Sequence, residues 1–173
     1  MKLFRALLAL MVASVVLATG TPASADPAPS GDKAGRQGLL LTGSTAPQCV
    51  LTLDRPVPGQ DRRAVRSYEC LSPGEQRFIP QSSLLMTWYD NVDYYGASTV
   101  VEDSWPCDPS GYRIPTGSWV NRITSFKVWN DCYRTTAYVQ SDCLGISRGY
   151  TGNVPYVGSV MNDRIGCFRT RAA

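Results

Sequence analysis

Tyr89-Asp90-Asn91-Val92-Asp93-Tyr94-Tyr95-Gly96 opens a segment that the chain contains twice. Its counterpart is Tyr138-Val139-Gln140-Ser141-Asp142-Cys143-Leu144-Gly145. Each begins with an aromatic residue, with an Asp four places on and a Gly seven places on. The downstream ends match as well. Gly117-Ser118-Trp119-Val120-Asn121-Arg122-Ile123-Thr124-Ser125-Phe126-Lys127 aligns with Gly158-Ser159-Val160-Met161-Asn162-Asp163-Arg164-Ile165-Gly166-Cys167-Phe168-Arg169, with one residue inserted opposite Asp163. Self-similarity at this grain marks a duplicated supersecondary unit. A glycine can take φ > 0 where a hairpin folds back, and the ring can cover it. The Arg-Ile-x-x-Phe-Lys/Arg segments alternate charged and apolar residues, as a half-buried strand does. Ser125 is placed to bond back to the hairpin of its own copy, supplying a hydroxyl where backbone groups would go unpaired.

Working outward, residues 84–173 are dense in Tyr, Trp, Val, Thr and Ile, with Gly, Pro or Asn every few residues. That texture predicts many short strands joined by tight turns, and no stretch keeps a helical stripe for three turns. The fold class expected is all-β, a single sandwich domain. Upstream, residues 47–83 read as a β-hairpin and a connector: strands at 50–53 and 64–69 separated by Arg55-Pro56-Val57-Pro58-Gly59, then a linking stretch at 71–83. Cys49 and Cys70 bracket the hairpin. A lone hairpin is marginal in water, so a disulfide across its base makes physical sense. In the chain-entropy account, closing a loop of about 20 residues contributes about 3 kcal/mol. Residues 26–46 mix Pro, Gly, Ser and Ala and read as a flexible leader, with Leu39-Leu40-Leu41 the one apolar run.

Lys2 and Arg5, an apolar run from Ala6 to Ala18 and the ending Ala23-Ser24-Ala25 predict a secretory signal peptide over residues 1–25. The run is shorter than the ~20 residues a membrane span needs, so no membrane association is expected and the chain is assigned to the extracellular space. Cleavage would remove two positive charges from a net +3, leaving the exported chain close to neutral. A nucleic-acid partner is therefore not expected, because such partners draw on a basic surplus. Arg62-Arg63 with Arg66 is the only basic cluster the sequence shows, and it reads as a solvated hairpin face. Six cysteines in an exported chain predict disulfides. A zinc site is disfavoured by the absence of any C-x-x-C pair and of any histidine. Without imidazole, Ser-His-Asp and Cys-His mechanisms have no base. Paired carboxylates are scarce, and the neighbours Glu102 and Asp103 would face opposite sides of a strand. The chain is read as a non-enzyme requiring no cofactor.

The repeat resembles the βγ-crystallin Greek key. That family carries aromatic-x4-aromatic-x-Gly in its first hairpin, matched by Tyr89, Tyr94 and Gly96; in the second copy Tyr138 and Gly145 match while Cys143 stands at the inner aromatic. Its later signature is two Asn/Asp residues, two variable positions, Ser/Thr and Ser. The first copy supplies Asn121, Thr124 and Ser125; the second supplies Asn162 and Asp163, then departs with Gly166 and Cys167. The resemblance covers about residues 85–171 and implies two Greek-key motifs forming one sandwich, preceded by the small disulfide-bracketed hairpin. It also implies calcium-binding loops near Asn121, Thr124, Asn162 and Asp163. Each copy lacks one oxygen donor of the six to eight that calcium takes, so the binding implied is weak; turn closure is the plainer role for these residues. Because the inner aromatic and the final Ser lie close together in a folded motif of this family, the resemblance implies a Cys143–Cys167 disulfide. Cys107–Cys132 and Cys49–Cys70 would then complete the set, although six cysteines admit other connectivities.

Two function classes follow. The first is an extracellular binding or structural module, expected to be monomeric, with Trp105-Pro106 before Cys107 as its candidate contact. The second is a secreted peptidase inhibitor, since small secreted bacterial metalloproteinase inhibitors share the crystallin-like fold; the longer first copy, residues 103–115, would supply the rigid loop. Secreted killer-type toxins of this fold are a third class that these residues do not separate from the others.

Overall fold

Alternation of apolar and polar residues, broken every few positions by turn formers, gives eleven strands among the described residues 37–43, 45–54 and 65–173 of the computed structural model. In chain order they are β1 (Gly38–Thr42), β2 (Gln48–Leu53), β3 (Val65–Cys70), β4 (Gln76–Pro80), β5 (Leu84–Tyr89) and β6 (Ser98–Glu102). There follow β7 (Tyr112–Pro115), β8 (Ser125–Val128), β9 (Arg134–Tyr138), β10 (Ser147–Thr151) and β11 (Cys167–Arg171). The expected signal peptide, most of the expected leader, Arg62 and Arg63 lie outside the described residues.

Two sheets face each other. One has the order β3-β2-β6-β5-β8 and the other β10-β9-β11-β7. The two copies of the repeat are interlocked: β7 belongs to the first copy but pairs antiparallel with β11 of the second. Reciprocally, Val154 of the second copy bridges Phe126 in β8 of the first. Each motif thus lends a segment to its partner's sheet. This arrangement is a crystallin-like double Greek key, and the fold is all-β as the sequence predicts.

The interior is one contiguous cluster in which Trp88 stacks on Phe168 at 5.7 Å between ring centroids and meets Trp119 edge-on at 6.5 Å. Phe126 sits edge-on to both Phe168 and Tyr150. Burying several large rings in one layer contributes about 1.5–3 kcal/mol apiece.

The N-terminal part departs from the sequence reading in two places. Residues 38–42, assigned to the leader, form β1; residues 76–80, assigned to the connector, form β4; the two pair antiparallel. Leu41 and Ile79 point from this ribbon onto Val50, Leu84 and Val100, making a second apolar layer on the outer face of the first sheet. Three consecutive leucines show no two-residue period, and the partner strand lies more than thirty residues away, so local pattern gave no strand signal. Nor is the bracketed hairpin a separate unit. β2 runs parallel to β6, from Gln48 opposite Ser98 to Thr52 opposite Glu102, so β2 and β3 extend the first sheet. An ion pair fastens the ribbon down: Arg77 Nη2 lies 2.7 Å from Glu102 Oε1, which also accepts from Thr52 Oγ1.

Three disulfides join Cys49 to Cys70, Cys107 to Cys132 and Cys143 to Cys167, leaving no free cysteine. Three such bonds are consistent with an oxidising, extracellular setting.

Candidate functional site

Strand direction sorts the loops to two ends. β5 ends at Tyr89, opposite Ser98 of β6 and Ser125 of β8, so the repeat hairpins and the Asn/Asp loops gather there. Leu84, opposite Glu102, marks the other end, where residues 103–111, residues 129–133 and the C-terminus meet.

At the hairpin end, Ser125 is fully buried and acts in two ways: its Oγ donates to Asn91 O at 2.6 Å and accepts from Tyr94 N at 3.1 Å. Tyr94 has φ of 68°, and Gly96 of 86°; a Cβ on Gly96 would collide with the Asp90 carboxylate. Tyr89 and Tyr94 pack edge-on at 5.9 Å. Burial and the neighbouring Asp93 carboxylate both raise the Tyr94 pKa. In the second copy Cys143 holds the same left-handed backbone, φ 62°, and is bonded to Cys167 at the position of Ser125. One motif closes its hairpin with a hydroxyl, the other with sulfur.

The four candidate calcium residues lie on two adjoining loops of this end. The structure moves the inserted residue of the second copy to a place before Asn162: Asn121 and Asp163, each two residues ahead of an isoleucine, occupy equivalent left-handed positions, φ 66° and 54°. Asp163 N donates to Ile123 O at 3.2 Å and Val157 N to Thr124 O at 2.9 Å, so the loops are in contact. Asn162 Nδ2 donates to Asp163 Oδ2 at 2.8 Å, while Asn162 Oδ1 is buried with no hydrogen-bond partner. That oxygen suits a cation. The rest of the set fits poorly: half-exposed Val120 and buried Gly166 bring no side-chain oxygen, and Arg122 and Arg164 stand on the two loops. Arg122 Nη2 lies 3.6 Å from Asp90 Oδ2 and its guanidinium lies over the Trp119 ring. Among the described residues no three carboxylate, cysteine or histidine side chains cluster to hold a metal ion.

At the opposite end, residues 103–111 form a fastened loop. Cys107 is bonded to Cys132, and its N–H donates to Asn130 O at 3.0 Å. The Tyr112 hydroxyl donates to Trp105 O at 2.8 Å, and Asp108 Oδ1 accepts from Gly111 N. Ala172 N donates to Asp108 O, tying in the C-terminus. Trp105 projects from this frame with 59% of its surface exposed. Along the turn at residues 129–133, an open groove of about 310 Å³ is lined by Trp129, Cys132, Tyr133 and the two last alanines. The sequence pointed to Trp105 but not to its frame, whose partners are scattered from Gly111 to Ala172.

The strand order and interlocked copies define the class: a crystallin-like double Greek-key domain carrying an N-terminal β extension. No family model matches the chain, and no curated protein matches it. Among solved structures it is similar to a βγ-crystallin domain from Clostridium beijerinckii, at 20% identity over 51% of this chain and 99% of that one, TM-score 0.42. A βγ-crystallin domain from Flavobacterium johnsoniae is 16% identical over 51% and 94%, TM-score 0.40. The N-terminal domain of Protein S is 17% identical over 51% and 97%, TM-score 0.40.

Proposed function

We propose that this chain is an exported, non-catalytic binding module that engages an extracellular protein through the loop at residues 103–111. The observation that carries the reading is Trp105, well exposed on a loop closed by Cys107–Cys132. Tryptophan is enriched among the residues that dominate binding energy, and a loop already fixed in shape loses little further entropy on association. The test is binding of medium proteins to the immobilised oxidised chain, set beside its Trp105→Ala variant. Proteins retained by the first and lost by the second support the reading; retention that ignores Trp105 overturns it.

The same pinned loop favours a second reading, inhibition of a secreted peptidase, with a metalloproteinase the first to assay. Dose-dependent inhibition abolished by Trp105→Ala would select this reading over plain binding, and full peptidase activity at saturating protein would remove it.

Weak calcium binding is part of the proposal, through Asn162 and Asp163 with Asn121 and Thr124 beside them. It is supported by the unpartnered Asn162 oxygen and limited by the short donor set. Calorimetry and thermal melts with millimolar calcium decide it: a small rise in midpoint that Asp163→Ala removes is expected, and no heat with no shift eliminates the idea.

A further inference from the structure

We propose that the outer face of the second sheet binds an anionic polysaccharide. Its strands β7, β9, β10 and β11 contain five arginines and no Asp or Glu. Tyr112, Ile114, Thr135, Ala137, Phe168 and Thr170 are all buried, and side chains alternate across a strand. Arg113, Arg134, Arg169 and Arg171 therefore share the outward face. The register sets them against each other: Arg169 stands opposite Arg113, and Arg171 opposite Arg134. Like charges directly opposite across a ladder are unfavourable, and a solvated sheet face requires only polar residues. The opposition of Arg171 and Arg134 disfavours the free protein and favours a partner that supplies negative charge.

Three further observations point the same way. Among the described residues, no carboxylate lies within ion-pairing distance of Arg134, Arg169 or Arg171. Arg169 is half-buried, and its buried Nε has no hydrogen-bond partner within the fold. The first sheet has its outer face covered by the β1–β4 ribbon, whereas no described strand covers the second. Asp108 and Asp131 stand on the loops that precede β7 and β9. Guanidinium groups match sulfate and carboxylate in a planar, two-pronged fashion. Strand spacing sets the four about 4.8 Å apart across the sheet and about 6.7 Å along it, a flat lattice for an extended charged chain. Thr136, Thr151 and Ser147 add hydroxyls between them. Nucleic acid is a poorer match: Tyr138, at the upper margin, is the face's one aromatic residue, and single strands rely on aromatic stacking platforms. The near-neutral net charge concealed this patch, because its members are spread from residue 113 to residue 171. The basic cluster read from the sequence, Arg62-Arg63 with Arg66, was therefore not the chain's only one.

The experiment uses the oxidised full chain with dextran sulfate, neutral dextran, duplex DNA and phosphatidylserine vesicles as probes, at about 50 and about 200 mM salt. Dextran sulfate should bind, weaken steeply with salt, and bind more tightly than the other three. The Arg169→Gln, Arg171→Gln double variant should lose about tenfold or more in affinity, while Arg122→Gln, on a loop of the other end, should not. The double variant should melt at the same temperature or higher, because opposed charges are relieved. Absent binding at low salt, equal loss in Arg122→Gln, or tighter binding of DNA or vesicles would overturn the proposal. Such failure would leave the Trp105 reading intact, since that loop is probed by its own variant.

Discussion

Ser125 shows what one residue decides in this molecule. Two hydroxyl bonds tie the hairpin of the first copy to β8, and both partners are backbone groups. Ser125→Ala would leave them unsatisfied in a buried place, so a loss of about 1–3 kcal/mol is expected from urea unfolding. Tyr150 is a second such residue. Its hydroxyl donates to Val157 O at 2.6 Å, and burial pushes its pKa up to about 12 against the opposing pull of Arg148. The folded value lies above the unfolded one, so the stabilisation is complete below about pH 10 and is lost as pH rises through about 12. Tyr94 shifts in the same direction. Melting temperature should therefore fall over that alkaline window, and Tyr150→Phe should flatten part of the fall. Both roles have sequence roots, but unequal ones. Ser125 was legible because the repeat fixed its place, whereas Tyr150 had no motif and gains its role only from Val157.

At the scale of elements, the two hairpins are one device built twice. Cys143 and Tyr94 share a backbone conformation, and Cys167 stands where Ser125 stands. Tyr94→Cys with Ser125→Cys should therefore form a fourth disulfide on air oxidation, read as a loss of two mass units from the thiol form. Two free thiols remaining in the folded protein would refute the equivalence. The β1–β4 ribbon is the element the sequence hid. Leu41, on its inward face, is 3% exposed, and Leu41→Ala should cost about 2–5 kcal/mol in denaturant unfolding. A flexible leader would show no such cost. The strands of the repeat were legible because alternation and turn residues are local. β1 and β4 were not, since neither carries a clear period and each becomes a strand only on meeting the other.

For the whole molecule, the exchange of β7 and of residue 154 between copies makes each motif depend on the other. Unfolding of the oxidised protein should be a single transition, with near-ultraviolet and far-ultraviolet dichroism coincident. Separate transitions for the two copies would contradict the interlock. The same assembly sets up three distinct surfaces: the paired loops around Asn162 and Asp163, the pinned Trp105 loop at the opposite end, and the arginine face of the second sheet.

By itself, the sequence determined the all-β class, the duplication and the disulfide chemistry, because these rest on short-range pattern, self-similarity and residue type. It also carried Trp105 and the four loop residues as candidates. Only the tertiary structure decided that residues 38–42 are a strand, that the bracketed hairpin extends the first sheet, and that four arginines converge on one face. Each of these depends on which distant strands pair and in what register, and a register is set by the packing of both partners rather than by the pattern of either one.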